Sequence, residues 1–359
     1  MDSGEHRVRV AVLGAGGLGK AACRIIGMKR ELQLCGVCDS KGIVVSAEGL
    51  EPEAFRELTG DLVTGYRQAM AAGICQARDG SSVPDEGGGV ATQKICEAFH
   101  CDDPLGAILE RTAFFDALFI ALPNLPNAFI PSVVERAVRT SRGLVMVDVL
   151  KRTSAVQQLF ALDSIVKRSE SVVLTGCGAT PGILAAAAVL AAQSFIQVEH
   201  VDIWWGVGIA SWDAYKATVR EDIAHLPGYS VERAKAMTDE EVEALLEQTN
   251  GLLELRRMEH ADDVLLQRVV VIEDLDQVEV GGVMDTRHPK KPVSTTMTLT
   301  GMTYEGRRSS HRFVLGDETP MAANVIGPAL GYLKRGVWLK THGLFGVFGC
   351  TDFLPMVVK

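Results

Sequence analysis

Two glycine-bearing turns, each between an apolar strand and a helix, hold the chemistry this sequence can do. The first is Gly14-Ala15-Gly16-Gly17-Leu18-Gly19, entered from the apolar run Val8 to Leu13 and followed by "KAACRIIGM". In this G-x-G-x-x-G spacing Gly14 permits a tight turn, Gly16 lets the backbone approach a diphosphate, and Gly19 lets the helix pack close to the strand. Free N–H groups and the helix dipole then favour an anion at the helix start. Asp39 closes the next strand, "LQLCGVCD", where a carboxylate suits a ribose 2′-hydroxyl and repels a 2′-phosphate. That favours NAD, while the adjacent Ser40 and Lys41 keep NADP open. Pro123-Asn124, ending "FDALFIALPN", is expected to pass beside the nicotinamide ribose.

The second turn is Cys177-Gly178-Ala179-Thr180-Pro181-Gly182, between "SVVLTG" and an alanine-rich helix. With the diphosphate already assigned, this helix start is expected to meet a substrate anion through Thr180, Pro181 and Gly182. An interdomain turn that merely needs small residues is the alternative. Lys151, just past "VMVDV", is the first choice for moving a proton or holding an anion, against a plain solvated lysine. Asp148 on the same strand end is expected to orient substrate. Trp212, with Trp204 and Trp205 nearby and Asp213 and Lys216 beside it, offers an aromatic wall or else core or dimer packing. His225 and Arg287-His288 are further loop candidates. Cys177 near a helix start is a candidate nucleophile, with His200 as its base. Cys35 and Cys38 lie three apart on a strand and so on opposite faces, which disfavours a metal chelate; no metal site is expected.

Strands alternate with helices up to the second turn, which predicts a doubly wound parallel sheet with right-handed crossovers. "PEAFRELTG", "TGYRQAMAAG", "IPSVVERAVRT" and "SAVQQLFALDSIVKRSE" read as helices, and "GSSVPDEGGGVATQKICEAF" as a loop, holding Gly87-Gly88-Gly89, that enters another helix. Beyond Ala192 the texture changes. "VEHVDIWWGVGI", "VLLQRVVVIEDLDQVEVGGV", "VSTTMTLTGMTYEG" and "SSHRFVLGD" are strand-like, with one helical block, "SVERAKAMTDEEVEALLEQTNGLLELRRM". Strands joined by hairpins make a mostly antiparallel sheet. The fold class is α/β, with a nucleotide domain over 1–182 completed by 318–359, and an α+β domain for substrate binding and dimerisation over 183–317. The helix in "ETPMAANVIGPALGYL" is expected to return to the first domain.

"VRVAVLGAGGLG", "VMVDVLKRTSAVQQLFALDSIVKRSESVVLTG" and the G-x-x-P-G of Gly178 to Gly182 resemble the saccharopine dehydrogenase-like oxidoreductases, and are similar to meso-diaminopimelate dehydrogenase. The resemblance implies a Rossmann domain, an NAD or NADP cofactor, and hydride transfer at the C–N carbon of an amino-acid-like substrate. The family turn has aspartate where this chain has Thr180, which opens the substrate to question. Alternatives are a phosphorylating-type aldehyde dehydrogenase using Cys177, or an NAD(H)-binding sensor. The net charge of −9 disfavours nucleic acid as a partner. The most apolar run, Ile183 to Ala192, is about half of the ~20 residues a membrane span needs. A cytoplasmic homodimer is expected.

Overall fold

The computed structural model describes residues 7–56, 58, 60–72, 96–124, 126–316 and 321–359. By their contacts these residues form two units, Met1–Ala121 with Val358–Lys359, and Leu122–Val357. The expected divisions at 182/183 and 317/318 both fall inside the second unit, where they separate its two sheets.

The first unit runs β1 (Val8–Leu13), α1 (Gly17–Met28), β2 (Leu32–Cys38), β3 (Gly42–Ser46), α2 (Leu62–Ala71), β4 (Cys96–His100), α3 (Pro104–Leu109) and β5 (Ala117–Ile120). The strand order is β5-β1-β2-β3-β4. β1 lies parallel to β2 and β5, as apolar strands covered on both faces should. β3 and β4 add antiparallel pairs at one side. β4 corrects the sequence reading: Cys96–His100 pairs along β3 instead of turning helical, because an available strand edge outweighs weak local propensity. Gly87-Gly88-Gly89 lies outside the described residues. Among its described residues "PEAFRELTG" holds one 3-10 turn, Pro52–Phe55.

The second unit runs α4 (Phe129–Thr140), β6 (Val145–Asp148), α5 (Thr153–Ala161), α6 (Asp163–Arg168), β7 (Val172–Thr175), α7 (Ile183–Ala192), β8 (Phe195–Gly208), α8 (Lys216–Ile223), α9 (Val231–Ala236), α10 (Asp239–Gln248), β9 (Leu252–Leu255), α11 (Asp262–Arg268), β10 (Val278–Asp285), β11 (Thr295–Thr303), β12 (Arg308–Leu315), α12 (Met321–Thr341) and β13 (Gly346–Gly349). β6, β7 and β13 are parallel neighbours. α12 packs on β6 and β7, and a Cβ at its Gly336 would come within 2.6 Å of Val145, so the small residue lets helix and sheet close.

The other sheet has the order β12-β11-β8-β10-β9. Its pairs are antiparallel except β8 with β10, whose connection crosses over through helices instead of a hairpin. Two expected elements break up here. The single helical block splits into α9 and α10, the latter started by a Thr238–Glu241 capping box, and Leu252–Leu255 becomes β9 after Gly251 at φ 80°. "VLLQR", expected as strand, is α11. The α/β class with a parallel sheet and a second, mostly antiparallel one is otherwise as read from the sequence. Among the described residues no helix is long and apolar enough to cross a membrane.

Candidate functional site

The two glycine turns prove to be opposite in kind. At the first, α1 starts at Gly17 with no side chain capping its N–H groups, and a Cβ at Gly16 would meet nothing within 4 Å. Gly14 holds φ 109°, and a Cβ at Gly19 would stand 1.8 Å from the Gly14 carbonyl oxygen. Open donors beside an open backbone fit a diphosphate. Gly16→Ala is therefore expected to leave the thermal midpoint within about 1 °C while weakening NADH binding roughly tenfold, about 1.4 kcal/mol, in a fluorescence titration. Unchanged affinity would remove the diphosphate from this turn.

Asp39 has other duties than the sequence suggested. Its Oδ1 accepts from the Lys41 and Gly42 N–H groups at 2.7 and 2.9 Å, and its Oδ2 accepts from the Leu62 N–H at 3.1 Å. The carboxylate thus holds the β2–β3 turn against the start of α2, while Ser40 and Lys41 are exposed.

The second turn is closed by its own backbone. The Ile183 and Leu184 N–H groups donate to the Gly178 and Ala179 carbonyls, both at 3.1 Å. A Cβ at Gly182 would lie 1.8 Å from the Gly178 oxygen, so the glycine serves a chain crossing, and Pro181 and Gly182 are buried. The expectation that this helix start receives an anion is corrected: its Ile183, Leu184 and Ala186 N–H groups already donate to the carbonyls of Gly178, Ala179 and Gly182. Thr180 remains at a cavity edge, and its hydroxyl donates to Asp262 Oδ2 at 2.7 Å. Cys177 is fully buried, its thiol pushed up by burial and directed at the Thr175 carbonyl, which removes it as a nucleophile. His200 lies on β8 opposite Thr300. Cys35 and Cys38 are likewise buried thiols, pushed up by burial to about 11 and about 12.

The polar side chains converge on Lys151 instead. β6 ends at Asp148, whose Oδ1 accepts from the Leu150 N–H, the Gly176 N–H and the Thr175 hydroxyl at 3.0, 3.0 and 2.9 Å. Asp148 is wholly buried and does not line the cavity, so the substrate-orienting role expected of it becomes one of locking two strand ends. Three residues on, the Lys151 carbonyl accepts from the Ala261 N–H at 2.8 Å. Its Nζ lies 2.8 Å from Asp222 and 3.5 Å from Glu221, both buried on α8. Burial presses the ammonium to lose its proton, but the two carboxylates outweigh it and push the Lys151 pKa up.

Around this pair, Asn124 donates to Glu221 Oε2 at 3.2 Å, and Arg152 pairs with Glu259 at 2.7 Å. His225 stands 3.3 Å from Arg152; burial first, then the Lys151 and Arg152 charges, push it down to about 4. A cavity of about 150 Å³ opens here. Trp205, Met258, Met284 and Leu315 give it an apolar wall, and Lys151, Thr180, Asp222, His260 and Lys291 supply its polar groups.

Of the residues singled out in the sequence, Lys151 and Thr180 line this cavity, while His225 lies against Arg152 and Asn124, expected beside a nicotinamide ribose, bonds to Glu221. Trp212 is not in the wall: its indole N–H donates to Glu243 at 2.7 Å and Lys216 lies over its ring, while Trp205 takes the role. Trp204 packs under Arg256, and Arg287 and His288 pair with Glu243 and Asp285. Glu221, Asp222, His260 and Asp262 were missed. Their signal was faint: "VREDIAHL" sets two acids side by side among apolar residues.

A glycine turn on a mostly parallel sheet, and a charged cavity beside a mixed one, define an α/β protein built on two sheets. The structure is similar to that of the DAP dehydrogenase of C. glutamicum in complex with DAP, at TM-score 0.53 and 14% identity, covering 96% of this chain and 93% of that one. It is also similar to a meso-DAP dehydrogenase mutant of Clostridium tetani E88 with DAP, at TM-score 0.50 and 13% identity over 97% and 94% of the two chains. An engineered D-amino acid dehydrogenase bound to NADP+ matches at TM-score 0.50 and 15% identity over 96% and 94%. At such identities the likeness is one of fold.

No family model matches the chain. In sequence it is 40% identical over 349 residues to the (S)-8-amino-7-oxononanoate synthase BioU of Haloferax mediterranei, covering 97% of this chain and 99% of that one. The chain belongs to the BioU family and is an enzyme. This finding overturns the sequence-based reading of function: neither an amine or imine dehydrogenase of an amino-acid-like substrate, nor an aldehyde dehydrogenase, nor a sensor describes a chain related in this way to a synthase.

Proposed function

We propose that this chain, like its Haloferax relative, is an (S)-8-amino-7-oxononanoate synthase, and that the cavity beside Lys151 holds this compound. The observation that carries the reading is a cavity with two ammonium groups, one carboxylate and an apolar wall: Lys151 and Lys291, Asp222, and Trp205 with Met258 and Met284. The compound named has matching parts. Its ketone accepts a hydrogen bond from the Lys151 ammonium, its ammonium pairs with Asp222, and its methylene chain lies on the apolar wall. Lys291, on the same cavity, suits the carboxylate end.

A nicotinamide dinucleotide is the proposed cofactor, with its diphosphate at Gly14 to Gly19. When bound it supplies a carrier for a hydride. The choice between NAD and NADP turns on Asp39, already engaged by three N–H groups, and on exposed Ser40 and Lys41.

Isothermal titration calorimetry with 8-amino-7-oxononanoate tests the reading. Saturable binding is expected, at least roughly tenfold tighter than for 7-oxononanoate, which has no group to pair with Asp222. Absence of binding, with NAD+ or NADP+ present and without either, would overturn it.

A further inference from the structure

The second cation of the cavity is held in a way that bears on which molecules fit. Lys291 sits in the connection 286–294 between β10 and β11, at 9% exposure, and lines the cavity with Trp205, Thr295 and Leu315. Its Nζ donates to the Gly316 carbonyl at 3.1 Å, just past Leu315, which pairs with Thr295 across β11 and β12. Lys151 and Asp222 come instead from beyond β6 and from α8, so the two ammonium groups stand on different elements.

The connection that carries Lys291 is pinned along its length. Asp285 Oδ1 accepts from the Arg287 and His288 N–H groups at 2.9 and 3.0 Å, and the Thr286 hydroxyl donates to the Gly251 carbonyl at 2.9 Å. At the other end Thr295 Oγ1 accepts from the Gly206 N–H at 3.0 Å. Between these anchors the chain crosses the end of β8 closely. A Cβ at Gly206 would run into the Val293 carbonyl, and one at Gly208 into the Lys290 carbonyl, so the two contacts bracket Lys291. The apolar wall is fixed as well: Trp205 lies against Gly282, where a Cβ would enter its indole ring. A solvated lysine sweeps its ammonium widely and meets a carboxylate at many distances. One held on a carbonyl, on a clamped connection, presents its charge in one place and so favours one length of ligand.

We propose that Lys291 is a specificity-determining residue, which grips the substrate carboxylate from this fixed position and sets the chain length that the cavity accepts. This rests on the reading of the cavity as a site for 8-amino-7-oxononanoate and deepens it. With the keto and ammonium groups held at Lys151 and Asp222, the methylene chain on the wall must bring the carboxylate to Lys291. A longer chain has to buckle or leave one end unpaired, and a shorter one stops before its partner. For the longer homologue, burial and grip pull in opposite directions. An apolar wall alone would hold one extra methylene about fourfold more tightly. A fixed charge at each end should weaken the same molecule roughly tenfold.

The test is calorimetric binding of 8-amino-7-oxononanoate, its homologues with one methylene fewer and one more, and its methyl ester, with NAD+ or NADP+ present and without either. The wild type is expected to bind both homologues and the ester at least roughly tenfold more weakly than the parent acid. Lys291→Met is expected to lose about that factor for the acid, to bind acid and ester within about threefold of each other, and to hold the longer homologue at least as tightly as the parent. Lys291→Arg, whose charge stands further out, keeps the preference for acid over ester and is expected to shift the preferred length to the shorter homologue. Circular dichroism confirms that each variant folds, and the wild-type series with Lys291→Arg decides if Lys291→Met does not. A longer homologue that binds the wild type as tightly as the parent acid overturns the proposal alone, as does an acid-over-ester preference unchanged in folded Lys291→Met or a length preference unshifted in Lys291→Arg. Failure of the wild type to bind the parent acid overturns the cavity reading instead.

Discussion

Replacing Lys151 with methionine is expected to lower the thermal midpoint by on the order of 10 °C at pH 7.5. The change leaves Asp222 at 1% exposure and Glu221 at 5% without their cation. Breaking a buried pair from one side costs about 3–5 kcal/mol, and the lower end applies because the Lys151 side chain keeps 18% exposure toward the cavity. At about 2–4 °C per kcal/mol for a unit of this size, roughly 10 °C follows. The loss should shrink on acidification. Burial already raises the Asp222 pKa, with Lys151 opposing it; without the lysine the folded pKa rises further. A carboxyl that binds its proton more tightly when folded gains stability as pH falls through that folded pKa. Differential scanning fluorimetry at pH 7.5 and 5.5 reads both effects. Lys151→Met/Asp222→Leu should lose less than the two single changes summed. A midpoint unmoved by Lys151→Met would mean that the lysine is solvated and that the cluster does not depend on it.

The parallel strands and the first glycine turn were legible because local chemistry dictates them. Val10 to Leu13 is buried on both faces, and the turn that follows needs Gly14 at positive φ and Gly19 under a carbonyl. Lys151 was legible by its place just past a strand end. The function of the second turn was not, because a glycine pattern does not reveal whether neighbouring carbonyls will take the helix donors, as those of Gly178 and Ala179 do. Asp222, His260 and Asp262 were invisible for a related reason. Each enters the cluster from an element far away in sequence, α8 or the start of α11, and α11 itself looked like a strand because Val264, Leu265 and Leu266 form an apolar run. Short apolar runs do not separate helix from strand. The acid pair on α8 resembles an ordinary solvated face until Lys151 is seen against it.

Asp148 separates a structural reading from a catalytic one more sharply than any other position. Asp148→Ala removes the acceptor of two N–H groups and one hydroxyl at a fully buried site. Each donor left unmet costs about 1–3 kcal/mol, so a loss of about 4 kcal/mol and a midpoint lowered by on the order of 10 °C are expected. Asp148→Asn keeps an oxygen where Oδ1 stands and should remain within about 1 kcal/mol of wild type at pH 7. The pH dependence sharpens the contrast. Burial, opposed by the bonds from Gly176, Leu150 and Thr175, raises the Asp148 pKa from 3.8 to about 6. The folded state therefore holds this proton more tightly than the unfolded chain does. Stability from this group is full below about 4, declines as pH rises toward about 6, and is flat above, by on the order of 3 kcal/mol in all. Asp148→Asn should flatten that slope in urea titrations run from pH 4 to 7. If Asp148→Ala instead kept its midpoint and lost only product formation, the carboxylate would be acting on substrate, and its three hydrogen bonds would be incidental to the fold.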